Sequence, residues 1–412
     1  MSSKDERGGA ATSLVGVEQL RGLNERLQGS LAAGASGLAS HFPSALAQLE
    51  SLPQMEDGLL AAPNDANTAV LLSLVEERNA RAAFEEVVFD THDPGWVFKF
   101  TAEWLAGRFH KRPFIEPDEH VAALPNDAAI AILGDWGTGR YGAPECAATI
   151  TKTTPRYQAL VHLGDVYYAG TANEVRERFL AFWPNVPGAS SWAANSNHEM
   201  YSGGEGYFDV TLKDPRFAQT GSCFAFQNDS FLFLGLDTAY EDHKLHGTQA
   251  TWVAKRIAHA GARKVVLLSH HQPFSHFESG GEHLLEALAP VLEKQRVFAW
   301  YWGHEHRCKI FDRHPRYGFY GRCIGHSGYP AFRDKFHENP MHVNDDGSLW
   351  RRVARNPDVP GADVLDGINM FVPEHRDRYA PNGFLSLHLA GDKLTETVRS
   401  PTGLVLYQKT LD

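Results

Sequence analysis

Five short apolar runs, each stopped by a cluster of polar residues, constrain this 412-residue chain more than any other feature. The runs are Ala128–Leu133, Ala159–Leu163, Ser190–Ala194, Lys264–Leu268 and Val297–Trp302. Apolar runs this short, bounded by Gly, Asp, Asn or Ser, read as strands buried on both faces. A sixth run, Phe231–Leu236, ends in Asp237. Helical spacing occupies stretches between them, such as Asn173–Phe182 and Thr248–Ala260. The alternation predicts an α/β fold. The end of the chain differs: Gly383–Leu389, Lys393–Ser400 and Leu404–Lys409 predict three antiparallel strands joined by the turns Ala390-Gly391-Asp392 and Pro401-Thr402-Gly403.

In α/β sheets, ligands bind beyond the carboxyl ends of the strands. The residues found there are Gly134-Asp135-Trp136-Gly137, Gly164-Asp165-Val166-Tyr167-Tyr168, Asn195-Ser196-Asn197-His198-Glu199, Ser269-His270-His271-Gln272-Pro273 and Gly303-His304-Glu305-His306. Any one of these alone would be a helix cap, a turn or a hydrogen-bonded structural histidine. Together they supply Asp, Asn, Tyr and His, all hard or borderline metal donors, each at the same kind of position. Gly residues before Asp135, Asp165 and His304 allow the backbone to turn tightly there.

The order GDxG, GDxxY, NHE, a strand ending in His270, then GHxH resembles the calcineurin-like metallophosphoesterases, and within them the purple acid phosphatase branch. The resemblance covers about residues 126–330. It implies an αββα sandwich of two mixed sheets flanked by helices, preceded here by an N-terminal helical extension. Most of that superfamily carries a His ligand two residues after the first Asp; Gly137 stands there in this chain, and the Tyr of GDxxY, Tyr168, fills the gap. By resemblance, one metal is held by Asp135, Asp165, Tyr168 and His306, and the other by Asp165, Asn197, His270 and His304, with Asp165 bridging. A phenolate ligand favours Fe(III) in the first site; the second suits Zn(II), Fe(II) or Mn(II).

The implied chemistry is phosphate ester hydrolysis. Two such ions ionise a bound water near neutral pH and clamp the phosphoryl oxygens, so that metal-bound hydroxide attacks phosphorus. Asp165 and His198 are the implied catalytic residues, His198 as general acid or as donor to the transition state. Glu199 either orients His198 or faces solvent, and His271 competes with His270 as ligand. Asp237 is a supporting carboxylate or a turn residue. His276 and His283 are substrate-side candidates by proximity in sequence alone. Of Trp136, Tyr167, Tyr201, Phe274 and Tyr329, some line the pocket and most belong to the core. The leading substrate class is a phosphomonoester; a phosphodiester (cyclic nucleotide, nucleic acid or phospholipid head group) uses the same centre. A non-catalytic scaffold on this fold would have lost donors, and all seven are present.

Composition narrows the partners. A net charge of −11 disfavours a general nucleic-acid binder. Four Cys without CxxC spacing make neither a disulfide framework nor a thiolate zinc site. No apolar run reaches the roughly 18 residues of a membrane span or the unbroken core of a secretory signal, which points to the cytoplasm. Residues 1–12 read as a disordered tail and 13–125 as a helical region and linker, with helices over 14–88 that could serve self-association or regulation. The aromatic stretch 94–114 reads as packing these helices onto the next domain, with a membrane-surface or partner-binding face as the alternative. Residues 126–412 read as the catalytic domain, with an irregular insertion over 330–380 and the terminal strands over 381–412.

Overall fold

The computed structural model describes residues 110–333, 336–372 and 376–412. The readings of the tail, of the helices over 14–88 with their proposed self-association, and of the aromatic stretch up to Phe109 lie outside the described residues. Among those described, the early strands are β1 (Ala122–Ala123), β2 (Asp127–Leu133), β3 (Ala159–His162), β4 (Ser190–Ala193), β5 (Phe224–Gln227) and β6 (Phe231–Gly235). Next come β7 (Lys264–Ser269), β8 (Val297–Trp302), β9 (Cys308–Arg313), β10 (Tyr320–Ile324) and β11 (Met341–Val343). The last are β12 (Leu349–Val353), β13 (Ala362–Asp366), β14 (Phe384–Ala390), β15 (Lys393–Arg399) and β16 (Val405–Leu411). The helices used below are α1 (Ala143–Lys152), α2 (Asn197–Tyr201), α3 (Gln249–Ala258) and α4 (Gly281–Leu292).

Two mixed sheets pack face to face. One has the order β16-β15-β14-β2-β3-β4, and the other β1-β5-β6-β7-β8-β10-β9-β13-β12-β11. The strands that carry the polar clusters run parallel within each sheet: β2 with β3, β3 with β4, and β7 with β8. Their period-two pattern divides the side chains between layers. Along β2, Ile130 and Ile132 enter the core between the sheets, while Ala131 and Leu133 enter an outer core with Cys146 and Ile150 of α1. Along β7, Val266 and Leu268 face the other sheet, while Val265 and Leu267 meet Trp252, Ile257, Leu284 and Leu288 of α3 and α4. Burial on both faces is why these strands read as continuous apolar runs.

One polar contact crosses the central core. Arg322 of β10 donates through Nε to both carboxylate oxygens of Glu396 on β15, 3.0 Å each, and Tyr301 donates to Glu396 at 2.7 Å. Arg322 Nη1 donates to the Phe311 and Gly321 carbonyls at 2.8 and 2.7 Å, so Nε and Nη1 are both paired away from water.

Two segments differ from the sequence reading. The stretch 330–380, read as irregular, contains β11, β12 and β13, which extend the larger sheet through β13 on β9. Charged residues hide these strands: Arg351 of β12 and Arg333 both donate to Asp366, at 2.6 Å each, so the local polarity is satisfied between neighbours. Residues 110–125, read as linker, are built into the sandwich. Phe114 packs on Tyr240 and His246, Glu116 accepts from the Thr248 hydroxyl at 2.6 Å, Trp252 donates to the Asp118 carbonyl, and β1 pairs with β5. All four cysteines are buried and free. No helix among the described residues is long and apolar enough to cross a membrane.

Candidate metal centre

The strand ends converge on one point with an unusual backbone. Asp135, Asp165, His304 and His306 adopt φ of 56°, 75°, 68° and 52°. Non-glycine residues rarely sit there, and each such residue costs about 1–3 kcal/mol, which the surrounding fold must overdetermine. The walls are close. A Cβ on Gly303 would lie 2.6 Å from Asp135 Oδ2, and one on Gly325 2.4 Å from the same atom. Only glycine at both positions lets this carboxylate occupy its place.

Two donor groups share Asp165. In the first, the ligand atoms of Asp135, Asp165 and His306 lie within 4.8 Å of one another. His306 Nε2 stands 3.5 Å from Asp135 Oδ1 and 3.5 Å from Asp165 Oδ2. In the second, Asp165, His270 and His304 meet the same criterion. His270 Nε2 lies 3.2 Å from Asp165 Oδ1, 2.9 Å from Asn197 Oδ1 and 3.1 Å from His304 Nδ1.

Protonation shows what this arrangement requires. A carbonyl can only accept, so the 2.8 Å contact between His270 Nδ1 and the Leu163 carbonyl puts the proton on Nδ1. Burial lowers the His270 pKa, so the ring is neutral near pH 7 and its Nε2 is a bare lone pair. Asn197 Nδ2 donates to the Tyr201 hydroxyl at 2.8 Å, which turns Oδ1 toward His270. Burial also drives His304 well below the usual histidine range. His270 Nε2 and Asn197 Oδ1 therefore face each other with no proton between them. Asp135 Oδ1 and Asp165 Oδ1 are buried and accept no hydrogen bond. Burial and the charge of Asp165 push Asp135 well above the usual carboxylate range. Asp165 is just as buried, yet His270, His198 and His306 hold it well below that range. A cation satisfies every one of these groups, so the residues present fit a metal in each group.

Tyr167, the neighbour of the Tyr168 that the resemblance implies, brings its hydroxyl to this centre. Tyr167 donates to Asp165 Oδ2 at 3.1 Å, and its hydroxyl lies 2.6 Å from His306 Nε2. The Tyr168 ring instead lies beneath Arg178, 5.8 Å from the guanidinium carbon. Two adjacent tyrosines make the spacing ambiguous, and the backbone turns the first of them inward.

His198 is buried, with Nδ1 donating to the Tyr168 carbonyl at 2.6 Å, and its ring stacks on Tyr167 at 3.9 Å. Glu199 neither orients His198 nor faces solvent. It is buried, accepts from the Asp165 backbone N–H at 3.3 Å and from the Ser196 hydroxyl, and burial with the Asp165 charge pushes it up to about 8. Asp237 holds the turn after β6 through the N–H groups of Ala239 and Tyr240 and binds Asn195. His270 faces Asp165, while the adjacent His271 turns to Thr238, 3.1 Å from its hydroxyl. His276 stacks on Phe311, and His283 is exposed on α4. Tyr329 packs 4.4 Å from the His306 ring and Tyr201 4.8 Å from His198, whereas Trp136 and Phe274 belong to the cores. Sequence reasoning placed Tyr167 only among pocket or core aromatics, and it missed His243, whose ring lies 5.5 Å from that of His304. Reading on from Asp237 through its loop would have reached Asp242 and His243.

The fold brings two adjoining groups of metal donors together at the ends of its parallel strands. Residues 128–308 match the family model of the calcineurin-like phosphoesterases. That match supports a metal-dependent phosphoester hydrolase domain over these residues, a family that implies two metal ions. No curated protein matches the sequence. Among solved structures it is similar to a dimetal phosphatase from Danio rerio, at 14% identity and a TM-score of 0.41, over 69% of this chain and 98% of that one. It is similar also to PhoD, at 13% identity and 0.44, over 70% and 69% of the two chains. A Vps29 mutant from Entamoeba histolytica, at 12% identity and 0.29, covers 69% and 98%.

Proposed function

We propose that this domain hydrolyses phosphate monoesters at a binuclear centre of the purple acid phosphatase kind. One ion is held by Asp135, Asp165, Tyr167 and His306, and the other by Asp165, Asn197, His270 and His304. The observation that carries the reading is the convergence of donor atoms on two points that share Asp165. The ions supply, when bound, an ionised water and positive charge for the phosphoryl oxygens. A phenol with two carboxylates and one imidazole suits Fe(III); the amide, two imidazoles and shared carboxylate suit Zn(II), Fe(II) or Mn(II).

The chain's own groups do the rest. Tyr201 fixes the Asn197 amide, and Leu163 and Tyr168 fix the His270 and His198 tautomers through their carbonyls. With Nδ1 tied to the Tyr168 carbonyl, His198 leaves Nε2 free; burial lowers its pKa, so its donation from Nε2 to the leaving-group oxygen is favoured on the acid side of neutrality. Tyr167 and Tyr201 flank its ring and exclude water from it. Tyrosines and histidines surround the centre, and the chain is net acidic, which suits a compact monoester better than a polyanionic nucleic acid. The test compares kcat/KM for p-nitrophenyl phosphate and bis(p-nitrophenyl) phosphate on one metal-loaded preparation. Preference for the monoester supports the proposal; preference for the diester overturns its substrate class.

A further inference from the structure

A third group of donors, unused by the reaction above, adjoins the centre on the side of His304. Ligand atoms of His243, His271 and His304 lie within 4.8 Å of one another. The ring of His243 is 4.0 Å from that of His271, which is 4.6 Å from that of His304. Asp242 joins them, its Oδ1 3.2 Å from His243 Nδ1 and 3.3 Å from His271 Nε2.

His271 carries the argument. It is fully buried, and Thr238 engages its Nδ1 at 3.1 Å, yet its Nε2 makes no hydrogen bond: the Asp242 oxygen is near but out of line. A buried ring nitrogen held this way, with its far nitrogen tied to a hydroxyl, has the form of a metal-ligating imidazole backed by an outer partner. The neighbours are fixed as well. Asp237 pins the turn that leads to Asp242 and His243 through two backbone N–H groups. A Cβ on Gly280 would lie 2.5 Å from His243 Cδ2, so the His243 ring is wedged between Gly280 and His271. His243 holds φ of 57°, the same rare conformation as the four ligands of the centre. Asp242 is exposed and gives an ion a path from solvent.

We propose that Asp242, His243 and His271, closed on one side by His304, bind a third cation of the zinc class. Imidazole nitrogens with one carboxylate oxygen are a set that zinc takes, and an anion is disfavoured by Asp242. The site stands on residues outside the binuclear centre except for the shared edge at His304.

The test counts zinc per chain by elemental analysis after saturation with Zn(II) and gel filtration. Wild type holds three ions. Asp242→Asn, a change at an exposed residue, and His243→Ala hold two and keep their turnover on p-nitrophenyl phosphate. Gly280→Ala, which displaces the His243 ring, weakens the third ion at least about tenfold without removing a ligand. A wild type that saturates at two ions, or variants that keep all three, overturns the site. Asp165→Asn separates this from the binuclear reading: it loses ions from the centre and keeps the one at His271. An Asp165→Asn protein with an unchanged count overturns the centre and leaves the third site to be judged on its own variants.

Discussion

Replacing His326 with leucine should flatten the pH dependence of this protein's stability. His326 is buried, neither ring nitrogen has a hydrogen-bond partner, and burial alone lowers its pKa to about 3. The unfolded chain takes up this proton below pH 6.5, whereas the folded chain refuses it until about 3. Stability is therefore lost as pH falls through that window and is fully present only above it. Between pH 7 and pH 5 the loss is about 2 kcal/mol from this one residue. His162, buried against Phe179 and Trp183 and likewise lowered to about 3, adds a similar amount. Together they cost the fold about 4 kcal/mol by pH 5, a large part of the roughly 5–15 kcal/mol of a typical domain. The assay is urea unfolding followed by tryptophan fluorescence at pH 7, 6 and 5, with wild type and His326→Leu loaded identically with metal. The variant should lose about 2 kcal/mol less than wild type across that range. Parallel loss in the two proteins would show that His326 titrates normally and refute the reasoning.

The remaining predictions concern the centre and the core. Tyr167→Phe should lower metal content in the first group and abolish any visible band from a phenolate–iron contact, while Tyr168→Phe should leave both intact; the reverse pattern in the absorption spectrum restores the spacing-based assignment. His198→Ala should retain both ions by elemental analysis and lose about 10²–10⁴ in kcat, and full turnover in that variant removes its catalytic role. Arg322→Met strands Glu396 in the core and should destabilise the fold by about 3–5 kcal/mol in urea, whereas the double change Arg322→Met with Glu396→Leu should recover most of that loss.

Much of this architecture was legible because the central strands are buried on both faces. That burial forces the continuous apolar runs of β2, β3, β7 and β8, and it forces their polar residues to the strand ends where the donors meet. Two of the unread strands carry polarity that is satisfied in three dimensions. β10 contains Gly321 and Arg322, and Arg322 reads as surface until Glu396 is known to face it from 74 residues away. β12 hides behind Arg351 and Asp366 in the same way. Within the site, spacing found the strand-end residues because regular geometry repeats there. The resemblance assigns Tyr168, and spacing alone does not show that the adjacent Tyr167 brings its hydroxyl to Asp165 and His306. Spacing passed over His243 because a loop anchored by Asp237 has no periodicity to read.

The account rests on two ions gathered by Asp165. The most direct test is elemental analysis and phosphatase rate on one sample taken through three states: as purified, after chelation, and after metal is restored. The account predicts at least two ions per chain, loss of activity as the ions leave, and recovery on their return, with Asp165→Asn failing to recover. Full activity in chelated protein that holds no metal would contradict it.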